Sequence, residues 1–330
     1  MRLLDAQKLE LVDVRDDDIP RYAILSHTWD DDEVTHQDMR YMETMIPQAF
    51  DRQKQNIVSK GGYVKIKNAA AMALKHGLAY LWVDTCCIDK TSSSELSEAI
   101  NSMYLWYEQA AECFAILSDV APVALDDWRE PNSQLRSSRW FTRGWTLQEL
   151  IAPTTMHFFA RDWSPLGQKH FPRSFTEILS EITGIEIEAL DGRVGPAQLS
   201  VATRMRWAAH RKTTRIEDTA YCLMGLFQVN MPLLYGEGHR AFARLQGEII
   251  QSTDDQSLFA WRSTLGHDEG EDADDPDALC GLLAASPSDF QHAGGMQPFL
   301  LPPSPLRPSA PSMMTNVGLR VQLYLRFTSR

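Results

Sequence analysis

Leu81-Trp82-Val83-Asp84-Thr85-Cys86-Cys87-Ile88-Asp89-Lys90 passes in one step from an apolar triplet to a mainly polar run. A short apolar run without alternation, cut off abruptly, reads as a strand buried on both faces. The same break recurs on either side. Tyr22-Ala23-Ile24-Leu25 ends in Ser26-His27-Thr28-Trp29, Cys113-Phe114-Ala115-Ile116-Leu117 ends in Ser118-Asp119, and Thr155-Met156-His157-Phe158-Phe159-Ala160 forms a fourth run. Between these runs the period changes. Val64, Ile66, Ala69, Ala73, Leu74 and Leu78 recur at helical spacing, as do Leu96, Ile100, Met103, Trp106, Tyr107 and Ala110. Ser92 and Glu95 stand at capping-box spacing before the second stripe. Strands near 22–25, 80–83, 113–117 and 155–159 alternating with helices predict an α/β fold with a mainly parallel central sheet. Ligands bind outside the carboxyl ends of such strands, so Ser26, Asp84 and Ser118 are expected on one edge.

The loop after the third run leads to Ser138-Arg139-Trp140-Phe141-Thr142-Arg143-Gly144-Trp145-Thr146-Leu147-Gln148-Glu149-Leu150-Ile151-Ala152-Pro153. A helix is expected to begin near Thr142 and to stop at Pro153. Trp145 and Glu149, four apart, share one face, while Leu147, Leu150 and Ile151 point the other way into a core. The plain alternative is an amphipathic helix with a solvated Glu149.

Composition narrows the classes. A hydrophobic fraction of 44% over 330 residues is ample for one large domain with additions, or two domains. There is no long apolar run, and Met1-Arg2-Leu3-Leu4-Asp5 is not a secretory leader, so a cytoplasmic protein without a membrane span is expected. Five cysteines without a CxxC pair argue for reduced thiols. The net charge of −12 is concentrated in Asp268, Glu269, Glu271, Asp272, Asp274, Asp275 and Asp277, and setting those seven aside leaves −5. An acidic loop and no basic surface speak against nucleic-acid binding.

Residues 1–20 read as an edge strand or tether. Past about residue 165 the strand signal fades, and residues 165–260 read as mostly helical. The expected divisions are an α/β core over 1–165, a helical extension over 166–262 without a separate linker, and an acidic, Pro-rich connector with a final strand over 263–330. Asn316 to Leu325 alternates like a half-buried strand, with Arg320 and Gln322 outward. The chain stops just after it, so further domains are expected to follow.

Three blocks carry a resemblance: Tyr22 to Trp29, Leu81 to Lys90, and Arg139 to Leu150. In order and spacing they resemble the fungal heterokaryon incompatibility (HET) domain. Arg211-Lys212-Thr213-Thr214-Arg215-Ile216-Glu217-Asp218-Thr219-Ala220-Tyr221 and Leu234-Tyr235-Gly236-Glu237-Gly238 resemble its downstream part. The resemblance implies a cytosolic fungal effector of cell death when incompatible individuals fuse. Relatives often add a nucleotide-binding oligomerisation domain, but no GxxxxGK[ST] occurs here. The blocks also resemble, more distantly, the Toll/interleukin-receptor (TIR) domain, which is flavodoxin-like. There a tryptophan lies four residues before a catalytic glutamate, the placement of Trp145 and Glu149. Thr146 departs from that pattern, which has cysteine, and the helical half has no counterpart.

This second resemblance implies hydrolysis of NAD at the nicotinamide–ribose bond, with NAD as substrate and no bound cofactor. Nicotinamide leaves as a neutral base and needs no proton, so one carboxylate can replace the usual pair. Glu149 is the expected catalytic residue. Ser26, His27, Trp29, Asp84, Arg143 and Trp145 are the expected substrate-binding residues, with tryptophans stacking on a ring and Arg143 pairing with phosphate. Each has a plainer use: Asp84 as a cap, Trp29 and Trp145 as core plates, Arg143 as a surface ion pair. A thiol hydrolase of Cys86 or Cys87 with His27 lacks a marked orienting residue. A metal site of His27, His157, Cys86 and Cys87 fits neither common zinc spacing, so no metal is expected. The competing class is a non-enzymatic death-signalling module that self-associates or binds a partner incompatibility protein.

Overall fold

The four apolar runs become neighbouring strands. The structure, a computed structural model, describes residues 1–15, 17–44, 52–122, 127–262, 281–296, 313–315 and 318–320. The chain divides into two compact units, Met1–Arg193 and Val194–Arg330.

In the first unit an edge hairpin, β1 (Arg2–Asp5) and β2 (Leu11–Asp13), precedes β3 (Tyr22–His27). Helices α1 (His36–Thr44), α2 (Arg52–Val58) and α3 (Gly61–Lys75) lead to β4 (Tyr80–Trp82). A single turn, α4 (Asp84–Cys87), and the long α5 (Ser93–Gln109) lead to β5 (Glu112–Leu117). Then come α6 (Thr146–Ile151), β6 (Met156–Ala160), β7 (Pro165–Gln168), α7 (Arg173–Thr183) and α8 (Ile187–Leu190).

The sheet runs β2-β1-β4-β3-β5-β6-β7. Its centre, β4-β3-β5-β6, is parallel throughout, and β1, β2 and β7 add antiparallel edges. Taken from β3 onward, the parallel strands follow the order 2-1-3-4, which is that of doubly wound flavodoxin-like sheets. The expected α/β architecture is present. The β1–β2 and β6–β7 pairs are antiparallel because short turns, not helical crossovers, join those successive strands, and β1 also runs antiparallel to β4. The sheet also continues through β7, past residue 165.

Core aromatics lock the helices to the strands. On α5, Tyr107 donates its hydroxyl to the Leu25 carbonyl at 3.1 Å, while Tyr22 of β3 reaches the Trp106 carbonyl at 2.5 Å. Full burial of such side chains is worth roughly 1.5–3 kcal/mol each. The Ser92 hydroxyl accepts from the Glu95 amide at 3.3 Å, so the expected cap opens α5. The Glu95 carboxylate turns instead to Arg2 and the Asp89 amide.

The second unit holds α9 (Val201–Ala208), α10 (Asp218–Tyr221), α11 (Met224–Phe227) and α12 (Arg240–Ser252). Its two downstream motifs meet: Glu217 accepts from the amides of Gly236 and Gly238 at 2.8 and 3.1 Å, and Tyr235 donates to Asp218 at 3.0 Å. Gly236 and Gly238 both have positive φ, 103° and 60°, which side-chain-bearing residues rarely adopt. The motif residues there are therefore a loop lock. Two short strands, β8 (Met313–Thr315) and β9 (Gly318–Arg320), pair antiparallel, with Arg320 exposed as expected. The acidic run, the prolines from Pro298 to Pro311 and the residues after Arg320 lie outside the described residues.

Candidate functional site

Helix α6 starts later than its sequence suggests. Residues Arg139–Thr142 form a 3-10 turn, Trp145 takes the N-cap position, and regular helix begins at Thr146. The Thr146 hydroxyl bonds the carbonyls of Trp140 and Arg143 at 2.5 and 2.9 Å, occupying acceptors that an earlier helix would have used. Asp119, just past β5, anchors the turn by accepting from the Ser138 hydroxyl and the Arg139 amide, both at 2.7 Å.

The short helix is buried on all sides, packed against α5, α8 and β3. Leu147, Leu150 and Ile151 lie in the core as expected. Glu149 is buried with them at 7% exposure, which removes the reading of a solvated surface carboxylate. Its Oε2 accepts from the Ser26 hydroxyl at 2.5 Å, and the Trp140 indole N–H donates to the same Ser26 oxygen at 2.9 Å. Burial pushes the Glu149 carboxyl up to about 7, against the Ser26 hydrogen bond and with help from the nearby charge of Asp84.

One residue further along β3, His27 begins a second set of contacts. Its Nε2 lies 3.0 Å from Asp84 Oδ1, and the Trp29 indole donates to Asp84 Oδ2 at 2.9 Å. Asp84 therefore binds side chains and does not cap a turn. Burial opposes its charge, but Lys90, His27 and Trp29 together hold its carboxyl well below the usual carboxylate range. Lys90 also places its ammonium 3.5 Å over the Trp29 ring, a cation–π contact. On the other side of His27, Lys65 Nζ stands 3.1 Å from Nδ1 and pairs with Glu33 at 2.5 Å and Asp30 at 3.2 Å. Burial works against a charged imidazole, yet bonds to Asp84 and Glu33 hold the His27 pKa above its ordinary value. Arg139 pairs with Asp30 and reaches Ser118 at 3.1 Å, returning the network to the end of β5.

The structure thus gathers Ser26, His27, Trp29, Asp84 and Glu149 at the carboxyl edge of β3, β4 and β5. The topological switch falls between β3 and β5, where such folds bind ligands. Trp145 and Arg143 sit half-buried at the start of α6. The indole that touches the Ser26–Glu149 pair is that of Trp140, not that of Trp145. Lys65, Glu33, Lys90 and Arg139 were also missed. Lys65 left a signal: it is a lone lysine among Ile66, Ala69, Ala70 and Ala73 on the buried face of α3. Cys86 and Cys87 are buried, and their mutual contact with burial pushes the Cys86 thiol well above its ordinary value, a poor nucleophile. With Asp84 on His27 Nε2 and Lys65 beside Nδ1, neither ring nitrogen faces a cysteine as its base.

Residues 22–125, which include all of these β3 and β4 groups, match the family described as "Heterokaryon incompatibility protein (HET)". The chain is thus an α/β protein carrying a HET domain. It is 44% identical over 252 residues to the vegetative incompatibility protein HET-E-1 of Podospora anserina, a match spanning 74% of this chain and 17% of that protein's length. Residues 240–325 match a "Domain of unknown function (DUF8212)". No solved structure matches the chain. Among the described residues no helix is long and apolar enough to cross a membrane.

Proposed function

We propose that this chain is the effector part of a fungal allorecognition protein that triggers cell death by hydrolysing NAD at the nicotinamide–ribose bond when oligomerised. The single observation behind the catalytic half of this reading is the buried Glu149 carboxylate, held by Ser26 at 2.5 Å beside Asp84 at the ligand edge of the sheet. The incompatibility half rests on the HET match and on the likeness to HET-E-1.

The chemistry asks little of the protein. Water attacks the anomeric carbon as the C–N bond breaks, and the bonding electron pair leaves with nicotinamide, neutralising its ring. The attacking water gives its proton to Glu149 or to solvent. Before that, ionised Glu149 stabilises the positive charge growing on the ribose and holds its hydroxyls. Ser26 and Trp140 fix the carboxylate's direction, so no reorganisation is needed during the reaction. His27 and Asp84 stand beside the carboxylate at the strand ends, bonded to each other. Trp29, 49% exposed and already gripping Lys90, offers a face for stacking, as does Trp145. Arg143 is the proposed phosphate partner.

The burial of Glu149 also favours a second reading. In that reading the Glu149 carboxylate, bonded to Ser26, ties α6 to β3 in a module that signals by self-association or by meeting a partner incompatibility protein. One experiment separates the two. The protein, concentrated or fused to an oligomerising partner, is incubated with NAD while nicotinamide release is followed. Release that depends on Glu149 supports the enzyme; none, in a preparation that still self-associates and kills cells, supports the signalling module.

A further inference from the structure

At the opposite, amino-terminal end of the same strands, three metal-ligating side chains from three elements converge. His76 caps the C-terminus of α3, Glu112 is the first residue of β5, and His157 is the second residue of β6. One ligand atom from each lies within 4.8 Å of the other two. His157 Nε2 is 2.5 Å from Glu112 Oε2, and His76 Nδ1 is 3.7 Å from Glu112 Oε1. The second distance is too long for a hydrogen bond, so the carboxylate does not simply bridge two donors. It is close to the roughly 3.3 Å that separates two ligands of a tetrahedral zinc ion with bonds of about 2.0–2.1 Å, whereas the His157–Glu112 pair is a hydrogen bond that an ion must displace.

The backbone fixes all three positions. In the β5–β6 register Phe114 pairs with His157, and Glu112 lies two residues before Phe114, so all three share one face of the sheet. His76 is set over that face by its amide, which bonds the Met72 and Ala73 carbonyls at 3.0 and 3.1 Å. Phe114 makes an apolar floor, with ring centroids 5.3 Å from His76 and 5.9 Å from His157, and Phe159 lies along His157 at 6.4 Å. The ligands themselves keep 25%, 23% and 14% of their side-chain surface exposed for His76, Glu112 and His157, so an ion has a way in.

We propose that His76, Glu112 and His157 form a binding site for a divalent transition-metal ion, with zinc as the reference ion. Two imidazoles and a carboxylate suit Zn²⁺ and its neighbours better than Mg²⁺ or Ca²⁺, which prefer all-oxygen shells. Three protein ligands leave a fourth position for water. The ion clamps the end of α3 to β5 and β6, and it stabilises the fold by being bound only in the folded chain.

The test uses the full chain, freed of metal with a chelator, and ZnCl₂ as the probe in calorimetry and thermal unfolding. One Zn²⁺ per chain is expected, with a rise in Tm that saturates at the same stoichiometry. Glu112→Gln, His157→Asn and His76→Asn should each weaken Zn²⁺ binding by roughly tenfold or more and remove the Tm rise. His76→Asn alters only a partly exposed helix end, so it remains informative if a sheet variant fails to fold. The site is overturned if the parent chain binds no Zn²⁺ below about 100 µM. It is equally overturned if any folded single variant keeps the parent's affinity, because another group of histidines or cysteines then holds the ion.

Discussion

The Ser26 hydroxyl donates to Glu149 at 2.5 Å across 123 residues of sequence, joining the end of β3 to the one carboxylate of α6. Both groups are buried, so neither exchanges its partner for water without cost. This pair fixes what can be asked of the site.

Glu149→Gln keeps shape and hydrogen bonding and removes the charge. If the carboxylate is catalytic, nicotinamide release falls by at least about a hundredfold, and cell killing is lost with it. A folded Gln variant that kills as the parent does transfers the function to self-association.

The same variant is predicted to be more stable than the parent at neutral pH. The Glu149 pKa is raised to about 7, so the folded state binds a proton that the unfolded state gives up near 4.5. The stability linked to this group is therefore full below pH about 4.5 and is lost as pH rises through about 7. Urea unfolding of Glu149→Gln and parent should diverge over that window, by up to roughly 3 kcal/mol at the upper end. Parallel stability curves would show that the carboxyl is not perturbed.

Activity should follow the opposite direction. The ionised carboxylate is the working form, so NAD cleavage per folded molecule rises as pH passes about 7. The Ser26 hydrogen bond favours ionisation, and Ser26→Ala should move the midpoint of the profile upward and reduce activity most at neutral pH. An unmoved midpoint in Ser26→Ala would separate the titrating group from Glu149.

Lys169 holds the far end of α6. Its buried ammonium donates to the carbonyls of Leu150 and Ile151 at 3.1 and 3.4 Å, and to that of Pro153. Lys169→Met leaves those carbonyls without their donor in the core. A loss of about 1–3 kcal/mol in urea unfolding is expected, and a neutral result would mean that water replaces the ammonium.

Gly62 is required for space. A Cβ there would stand 2.7 Å from the Val34 amide nitrogen and 2.8 Å from Glu33 Cα, with backbone atoms that cannot rotate away. Gly62→Ala should displace the loop that delivers Glu33 and Asp30 to Lys65, costing about 1–3 kcal/mol in thermal or urea unfolding. A variant as stable as the parent would show that the loop yields freely.

The parallel strands and their helices were legible because burial on both faces writes itself locally: Tyr22-Ala23-Ile24-Leu25 and Cys113-Phe114-Ala115-Ile116-Leu117 carry no alternation, and Ser92 with Glu95 marks a helix start. The loop edge bearing Ser26 and Asp84 followed from strand direction alone. Period and capping depend on residues a few positions apart, and a sequence contains those directly. What it does not contain is the partner of a polar side chain. Whether Trp140 or Trp145 meets Ser26, whether Asp84 caps a turn or grips His27, and whether Glu149 faces water were decided by packing among elements more than fifty residues apart. Lys65 and the His76–Glu112–His157 group belong to the same class. Lys65 stands out on the buried face of its helix and the other three are ordinary in their segments, but only the sheet order and the docking of α3 bring each group together.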